Sequence, residues 1–162
     1  MSLLDFFRTK HINVLLCGID GAGKTSITLT LSGLDPKIFP PKPTLGYNSP
    51  SFKSNGIKWV FWDVCGQAKF RSLWKSYYTN VIAVAYVINA KDTERFQESK
   101  NLLWGIINDP TIRSYPILVW VNRGHSNELN DLPKDRVFVL DCDAYNGTGL
   151  KEGLKWLKKK LK

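Results

Sequence analysis

"INVLLCGIDGAGKTS", Ile12 to Ser26, runs from a compact apolar segment through a glycine-rich turn to a lysine and two hydroxyl residues. A strand covered on both faces reads as continuously apolar rather than alternating, which suits Ile12 to Cys17, closed by Gly18. "KTSITLTLS" follows with helical spacing. Between strand and helix, Gly18 to Thr25 fits GxxxxGK[ST]. Gly21 and Gly23 let the backbone curl so that successive amides point inward, Lys24 adds a point charge, and the helix N-terminus adds its positive dipole end. Asp20, Gly21, Ala22, Gly23, Lys24, Thr25 and Ser26 are therefore candidate ligands of a polyphosphate, with the Thr25 hydroxyl suited to Mg²⁺. The plainer alternative is a glycine turn that merely joins a strand to a helix.

Two elements further along belong to the same chemistry. Asp63 ends the strand-like "IKWVFW" and opens "DVCGQ", where it can hold a metal through water while the Gly66 amide approaches a terminal phosphate. Gln67 is the candidate catalytic residue, placed to orient a hydrolytic water. From Gly33 to Asn48 the chain carries Pro36, Pro40, Pro41 and Pro43, which exclude regular helix and predict a long ordered loop. Thr44 in that loop is the natural second hydroxyl ligand for the metal, or else an ordinary surface threonine.

The rest of the chain alternates strand and helix. Asn55-Gly56 accepts the positive φ values of a tight turn and predicts a β-hairpin between "SPSFK" and "IKWVFW". "VIAVAYVI" predicts a central strand, with Asp92 as N-cap of the helix "TERFQESKNLLWGII". Ile117 to Val121 and Val137 to Leu140 predict two more strands, and a terminal helix places Leu150, Leu154, Leu157 and Leu161 on one face. This order implies an α/β fold: a mainly parallel sheet with helices on both faces and one antiparallel edge. The Asn122 to Arg136 connection is near the minimum of about a dozen residues for a parallel crossover, leaving room for one turn anchored by Leu129 and Leu132.

At 162 residues and 43% hydrophobic, the chain fills one core. Three cysteines without a CxxC signal neither a disulfide framework nor a zinc site, so a reducing, cytoplasmic setting is expected. A net charge of +9 favours an anionic partner. Part of that excess lies in "LKEGLKWLKKKLK", which reads first as the solvated face of a core-packed helix. A nucleic-acid binder lacks any recognisable module here and is not expected.

"GIDGAGKTS", "PTLGYN" and "WDVCGQAKFRSLWKSYY" together resemble the phosphate loop, switch I and switch II of the ADP-ribosylation factor (ARF) and ARF-like small GTPases, in order and over nearly the whole chain. The resemblance implies a P-loop NTPase fold of small-GTPase type with a six-stranded sheet, GTP/GDP and Mg²⁺ as ligands, and a switch set by the γ-phosphate. It implies slow hydrolysis, on the order of 10⁻⁴ per second without an activating protein. Exchange factors, activating proteins and effectors in membrane traffic are the implied partners, with Tyr47, Trp62 and Tyr77 matching the family's effector-docking aromatic triad. Cys65 stands where the family usually has a glycine, which restricts the switch II hinge.

The base-reading loop departs further. Related GTPases read guanine with Asn-Lys-x-Asp, and this chain has Asn122-Arg123-Gly124-His125. Arg123 can still stack over a base. A carboxylate accepts both guanine donors, whereas neutral imidazole accepts one and imidazolium none. Losing that contact costs about 1.5 to 3 kcal/mol, roughly 10- to 150-fold in base discrimination. The family's last motif maps onto "DAYNGTG", with Ala144 as amide donor to the base oxygen. Asp143, or second to it Glu128, is a candidate replacement for the missing acid; the alternative is that Asp143 caps the turn.

Residues 1–11 form an N-terminal amphipathic segment ahead of the domain at 12–162. Ser2 excludes myristoylation, and the C-terminus has no prenylatable cysteine. Leu3, Leu4, Phe6 and Phe7 either bind an anionic membrane surface reversibly through residues 1–10, leaving the protein peripheral on a membrane, or pack permanently on the domain. A monomer is expected. The competing reading of the whole chain is a degenerate GTPase-fold scaffold with weak or non-selective nucleotide binding.

Overall fold

The computed structural model describes residue 3 and residues 9–162; most of the expected N-terminal amphipathic segment, and with it the expectation of membrane binding, lies outside the described residues. Strand β1 (Lys10–Cys17) begins within the residues assigned to that segment and leads through the glycine-rich turn to helix α1 (Lys24–Leu31). After the proline-rich loop come β2 (Tyr47–Asn48), β3 (Ser51–Ser54) and β4 (Ile57–Val64), and then a 3₁₀ stretch, Ala68–Asn80. Strand β5 (Ala83–Asn89), helix α2 (Phe96–Ile107), β6 (Ile117–Asn122), β7 (Val137–Cys142) and α3 (Leu150–Lys160) complete the chain.

The sheet order is β2-β4-β1-β5-β6-β7, with β3 also on β4, and every pairing other than those of β2 and β3 is parallel. Strands β2 and β3 lie in tandem along one edge, Tyr47 opposite Val64 and Ser51 opposite Val60, so the expected antiparallel edge exists in two pieces. Pro50 lies at the break, where it lacks an amide to extend the ladder but its carbonyl still accepts from Phe61 N at 2.9 Å. The expected hairpin turn is there, with φ of 55° at Asn55 and 74° at Gly56.

Alternation along β1 sorts the core into two layers. Ile12, Val14 and Leu16 face α1 and α3, meeting Ile27, Leu150, Leu154 and Leu157. Leu15 and Cys17 face the other side, with Leu103 and Ile106 of α2 and Trp74 and Tyr78 of the 3₁₀ stretch. The leucine face of α3 is buried as its spacing predicts, while its lysines are largely exposed.

One detail differs from expectation and one agrees with it. Helix α2 starts at Phe96 rather than directly after Asp92, because Asp92 caps a turn: its carboxylate accepts from Arg95 N at 3.3 Å and Arg95 Nε at 2.8 Å. The β6–β7 crossover is reduced to one 3₁₀ turn, Asn127–Leu129, and Leu129 and Leu132 anchor it as expected. It is not loosely tethered, however. Lys100 of α2 donates to Glu128 O at 2.9 Å and meets the Asp131 carboxylate at 3.1 Å. Beyond the turn, the Arg136 guanidinium donates to the carbonyls of Ile107, Ile112 and Tyr115 at 2.6 to 2.8 Å, closing the C-terminal end of α2 against the start of β7.

Candidate functional site

The strand order reverses at β1, so the crevice for a ligand opens at the carboxyl ends of β1 and its neighbours. A cleft of about 350 Å³ lies there. All seven candidates from Asp20 to Ser26 line it, together with Thr44, Cys65, Gly66, Gln67, Arg123 and Tyr145. Gly23 has a φ of 106° and no room for a side chain, since a Cβ there would sit 2.4 Å from Asn122 Nδ2. Gly66 is equally confined, because its Cβ would lie 2.5 Å from Gly18 O.

The three candidate metal ligands converge. Thr25 Oγ1 donates to Asp63 Oδ2 at 2.8 Å and lies 3.3 Å from Thr44 Oγ1. Asp63 is fully buried, and its Oδ1 makes no hydrogen bond. Burial raises its carboxyl pKa, opposed by the Thr25 hydroxyl and the Lys24 charge. Two hydroxyls and a buried carboxylate with a free oxygen fit a hard cation that takes oxygen ligands and keeps several waters, such as Mg²⁺. Lys24 Nζ donates to Gly18 O at 2.9 Å and Ile19 O at 3.1 Å, and burial lowers its pKa despite the Asp63 charge. A buried ammonium held by two carbonyls lacks the full pairing such a charge needs, and an anion in the cleft would supply it.

Switch II is tied to the phosphate loop by groups that sequence reading did not single out. Gly66 O accepts from Asp20 N at 3.2 Å and Arg71 Nε at 2.8 Å. Arg71 pairs with Glu98 and approaches the Asp20 carboxylate at 3.6 Å. Arg95 reaches the same carboxylate at 3.0 Å and Asp20 O at 2.8 Å. The only sequence signal was two arginines beside apolar motifs, which is weak. Cys65 carries no strained φ; its amide donates to Gly46 O at 2.8 Å and its carbonyl accepts from Trp74 Nε1 at 2.9 Å, so it joins the two switches. Its side chain faces the interior, 3% exposed. Tyr47, Trp62 and Tyr77 do converge, with ring centroids 5.3 to 6.0 Å apart, beside the sheet's antiparallel edge.

The base-reading residues are placed differently from their expected contacts. Asn122 donates from Nδ2 to Ala22 O and accepts Ala144 N at Oδ1, both at 3.1 Å, so the Ala144 amide meets a side chain of its own protein. Asp143 does not line the cleft; its carboxylate accepts the amides of Tyr145 at 2.8 Å and Asn146 at 3.0 Å, as a turn cap does. Glu128 also lies outside the lining. His125 is 83% exposed at its side chain, turned to Asp141 with Nδ1 3.2 Å from the carboxylate. Arg123 and Tyr145 are what line the cleft at this end.

A mostly parallel sheet wound on both faces, with a phosphate loop after β1 and two switch segments closing on it, defines a small GTPase fold. The ADP-ribosylation factor family model matches residues 2–161, and the chain belongs to that family. The Caenorhabditis elegans E3 ubiquitin-protein ligase arc-1 is 37% identical over 158 residues, which covers 90% of this chain but 29% of the ligase. The Arl6 BBS3 small GTPase from Trypanosoma brucei, solved with bound nucleotide analogue GppNp, superposes with a TM-score of 0.81 at 26% identity, covering 93% of this chain and 96% of that one.

Proposed function

We propose that the chain is a nucleotide-dependent switch that binds guanine nucleotide with Mg²⁺, hydrolyses the triphosphate slowly and recruits effectors in membrane traffic. The observation that carries this reading is the convergence of Thr25, Thr44 and Asp63 beside Lys24, which unites three separate segments at one oxygen-rich point. Thr25, Thr44 and Asp63, the last through water, would hold the metal, which when bound neutralises charge on the phosphates.

The chain's own groups do the remaining work. The Gly18 to Thr25 loop presents amides and the α1 N-terminus to phosphate, and Lys24 supplies a desolvated positive charge. Gln67, at the start of the 3₁₀ stretch and lining the cleft, orients water for hydrolysis. Thr44 and Gly66 belong to segments whose hold on the site depends on a terminal phosphate. When switch I and switch II move, Tyr47 and Tyr77 move relative to Trp62, which changes the surface that an effector meets. Hydrolysis in such sites proceeds on the order of 10⁻⁴ per second without an activating protein.

His125 and the reduced crossover support a second reading, a GTPase-fold scaffold that binds nucleotide weakly. Calorimetric titration of the full chain with GDP, GTP and ATP, with and without Mg²⁺, separates the two. The switch reading predicts submicromolar to micromolar binding strengthened by Mg²⁺, and GppNp should shift the tryptophan fluorescence relative to GDP by an amount that Trp62→Phe reduces. Binding weaker than about millimolar, roughly 4 kcal/mol, overturns it in favour of the scaffold.

A further inference from the structure

We propose that this chain holds its nucleotide's base by stacking on Tyr145 and Arg123, and therefore takes purine nucleoside triphosphates without selecting guanine. The inference rests on the nucleotide-binding reading above and deepens it.

The base end of the cleft is built where β6 and β7 end side by side, Asn122 opposite Cys142. One residue beyond β6, Arg123 holds a φ of 66°, and Tyr145 follows β7. Both line the cleft, and Tyr145 is 40% exposed, an unusual placement for an aromatic ring with no partner among the described aromatic pairs. The turn that carries it is fixed: the Asp143 carboxylate accepts the Tyr145 amide, and Ala144, buried at 2% exposure, has its carbonyl bonded by Thr30 Oγ1. The ring is thus presented from a rigid backbone. A guanidinium plane and an aromatic ring both stack on any purine, whatever hydrogen bonds its edge offers.

No group that lines this end of the cleft tells guanine from the other purines. Asn122 donates one Nδ2 hydrogen to Ala22 O and accepts the Ala144 amide at Oδ1; its second Nδ2 hydrogen can still meet a ring acceptor such as N7, which guanine, hypoxanthine and adenine share. Asp143 lies outside the cleft lining with its Oδ1 held by its turn, and His125, also outside the lining, faces Asp141. Asp20, the one carboxylate among the described residues that line the cleft, is held by Arg95 and Arg71 at the phosphate loop. Guanine's ring N–H and exocyclic amine need an acceptor pair to be told from hypoxanthine or adenine, and no carboxylate at this end supplies it. Tyr145 supplies affinity in place of that contact, not discrimination.

The test is competition by GTP, ITP, ATP and inorganic tripolyphosphate against a fluorescent nucleotide on the full chain and on Tyr145→Ala, Tyr145→Phe and Tyr145→Leu. GTP and ITP should compete within about threefold of each other and ATP within about tenfold. Tyr145→Ala should weaken all three nucleotides alike, by roughly 5- to 150-fold, and leave tripolyphosphate unchanged. Phenylalanine should preserve affinity and leucine should not, which separates ring stacking from mere apolar cover. A preference of a hundredfold or more for GTP over ITP or ATP overturns the proposal, as does nucleotide affinity indifferent to Tyr145→Ala. Tripolyphosphate binding with no base dependence sinks this inference alone, whereas failure of every ligand to bind sinks the switch reading as well.

Discussion

Replacing Asn122 by alanine separates a base ligand from a structural staple. In the fold its side chain joins three loops, donating to Ala22 O and accepting Ala144 N, each at 3.1 Å, with Asn122, Ala22 and Ala144 all buried. Truncation removes both bonds and leaves a buried carbonyl and a buried amide without partners. An unsatisfied buried group costs about 1 to 3 kcal/mol, so the two together should cost about 2 to 6 kcal/mol. For a domain of this size each kcal/mol lowers Tm by roughly 2 to 4 °C, giving a fall on the order of 4 to 24 °C. The assay is thermal unfolding of the nucleotide-free protein followed by circular dichroism. Asn122→Asp should do no better, because it keeps the acceptor for Ala144 N but places a buried charge beside Ala22 O. If Asn122→Ala melts within about 2 °C of the parent while nucleotide affinity falls, the residue acts on the base and the staple assignment is wrong.

Arg136→Ala should destabilise the fold by about 2 to 4 kcal/mol, read by urea unfolding, because the guanidinium bonds three carbonyls; Arg136→Lys should recover only part of it. Gly153→Ala should lower stability by about 1 to 3 kcal/mol despite alanine's better helix propensity, since its Cβ would lie 2.7 Å from both Trp120 Nε1 and Leu118; an unchanged or raised Tm refutes this. Asp63→Asn should abolish the Mg²⁺-dependent part of nucleotide affinity while tripolyphosphate without metal still binds, and calorimetry with and without Mg²⁺ reports both. The Thr111 amide and, secondarily, Lys75 hold the Asp109 carboxyl below its ordinary range against its burial. A depressed acid contributes stability above its unfolded pKa, about 3.9, that is lost as pH falls through the lower folded value. Asp109→Asn should therefore reduce the steepness of acid unfolding in that window, and an unaltered acid limb counts against the assignment.

What the sequence made legible was local. The β1–loop–α1 unit follows from an apolar run, three glycines and a lysine within one short stretch, and the β3–β4 hairpin follows from Asn55-Gly56 alone. The oxygen-rich cluster was also readable, because each contributing residue carries its own motif, although only the fold brings Thr25, Thr44 and Asp63 within hydrogen-bonding range. Helix α2 began late because aspartate serves turns as readily as helix caps, and Arg95 drew Asp92 into the former. Interactions across large sequence separations left no pattern to find. Arg95 meets Asp20 across 75 residues of chain, and the turn that carries Tyr145 into the cleft is held by Asp143 and Thr30. His125 stands out in the sequence as a change of chemistry, but its partner, Asp141, depends on how two adjacent strands end.

The break in the sheet's antiparallel edge shapes what kind of partner that edge can accept. An unbroken outer strand offers a ladder of amides and carbonyls to any extended peptide, and is a route to aggregation as well as to recognition. Here β2 is confined to Tyr47–Asn48, Pro50 removes an amide between the pieces, and Lys53 places an exposed charge on β3. The edge thus resists templating by a second chain. What this flank offers a partner instead is the shape of the Tyr47, Trp62 and Tyr77 rings, which lie beside the edge.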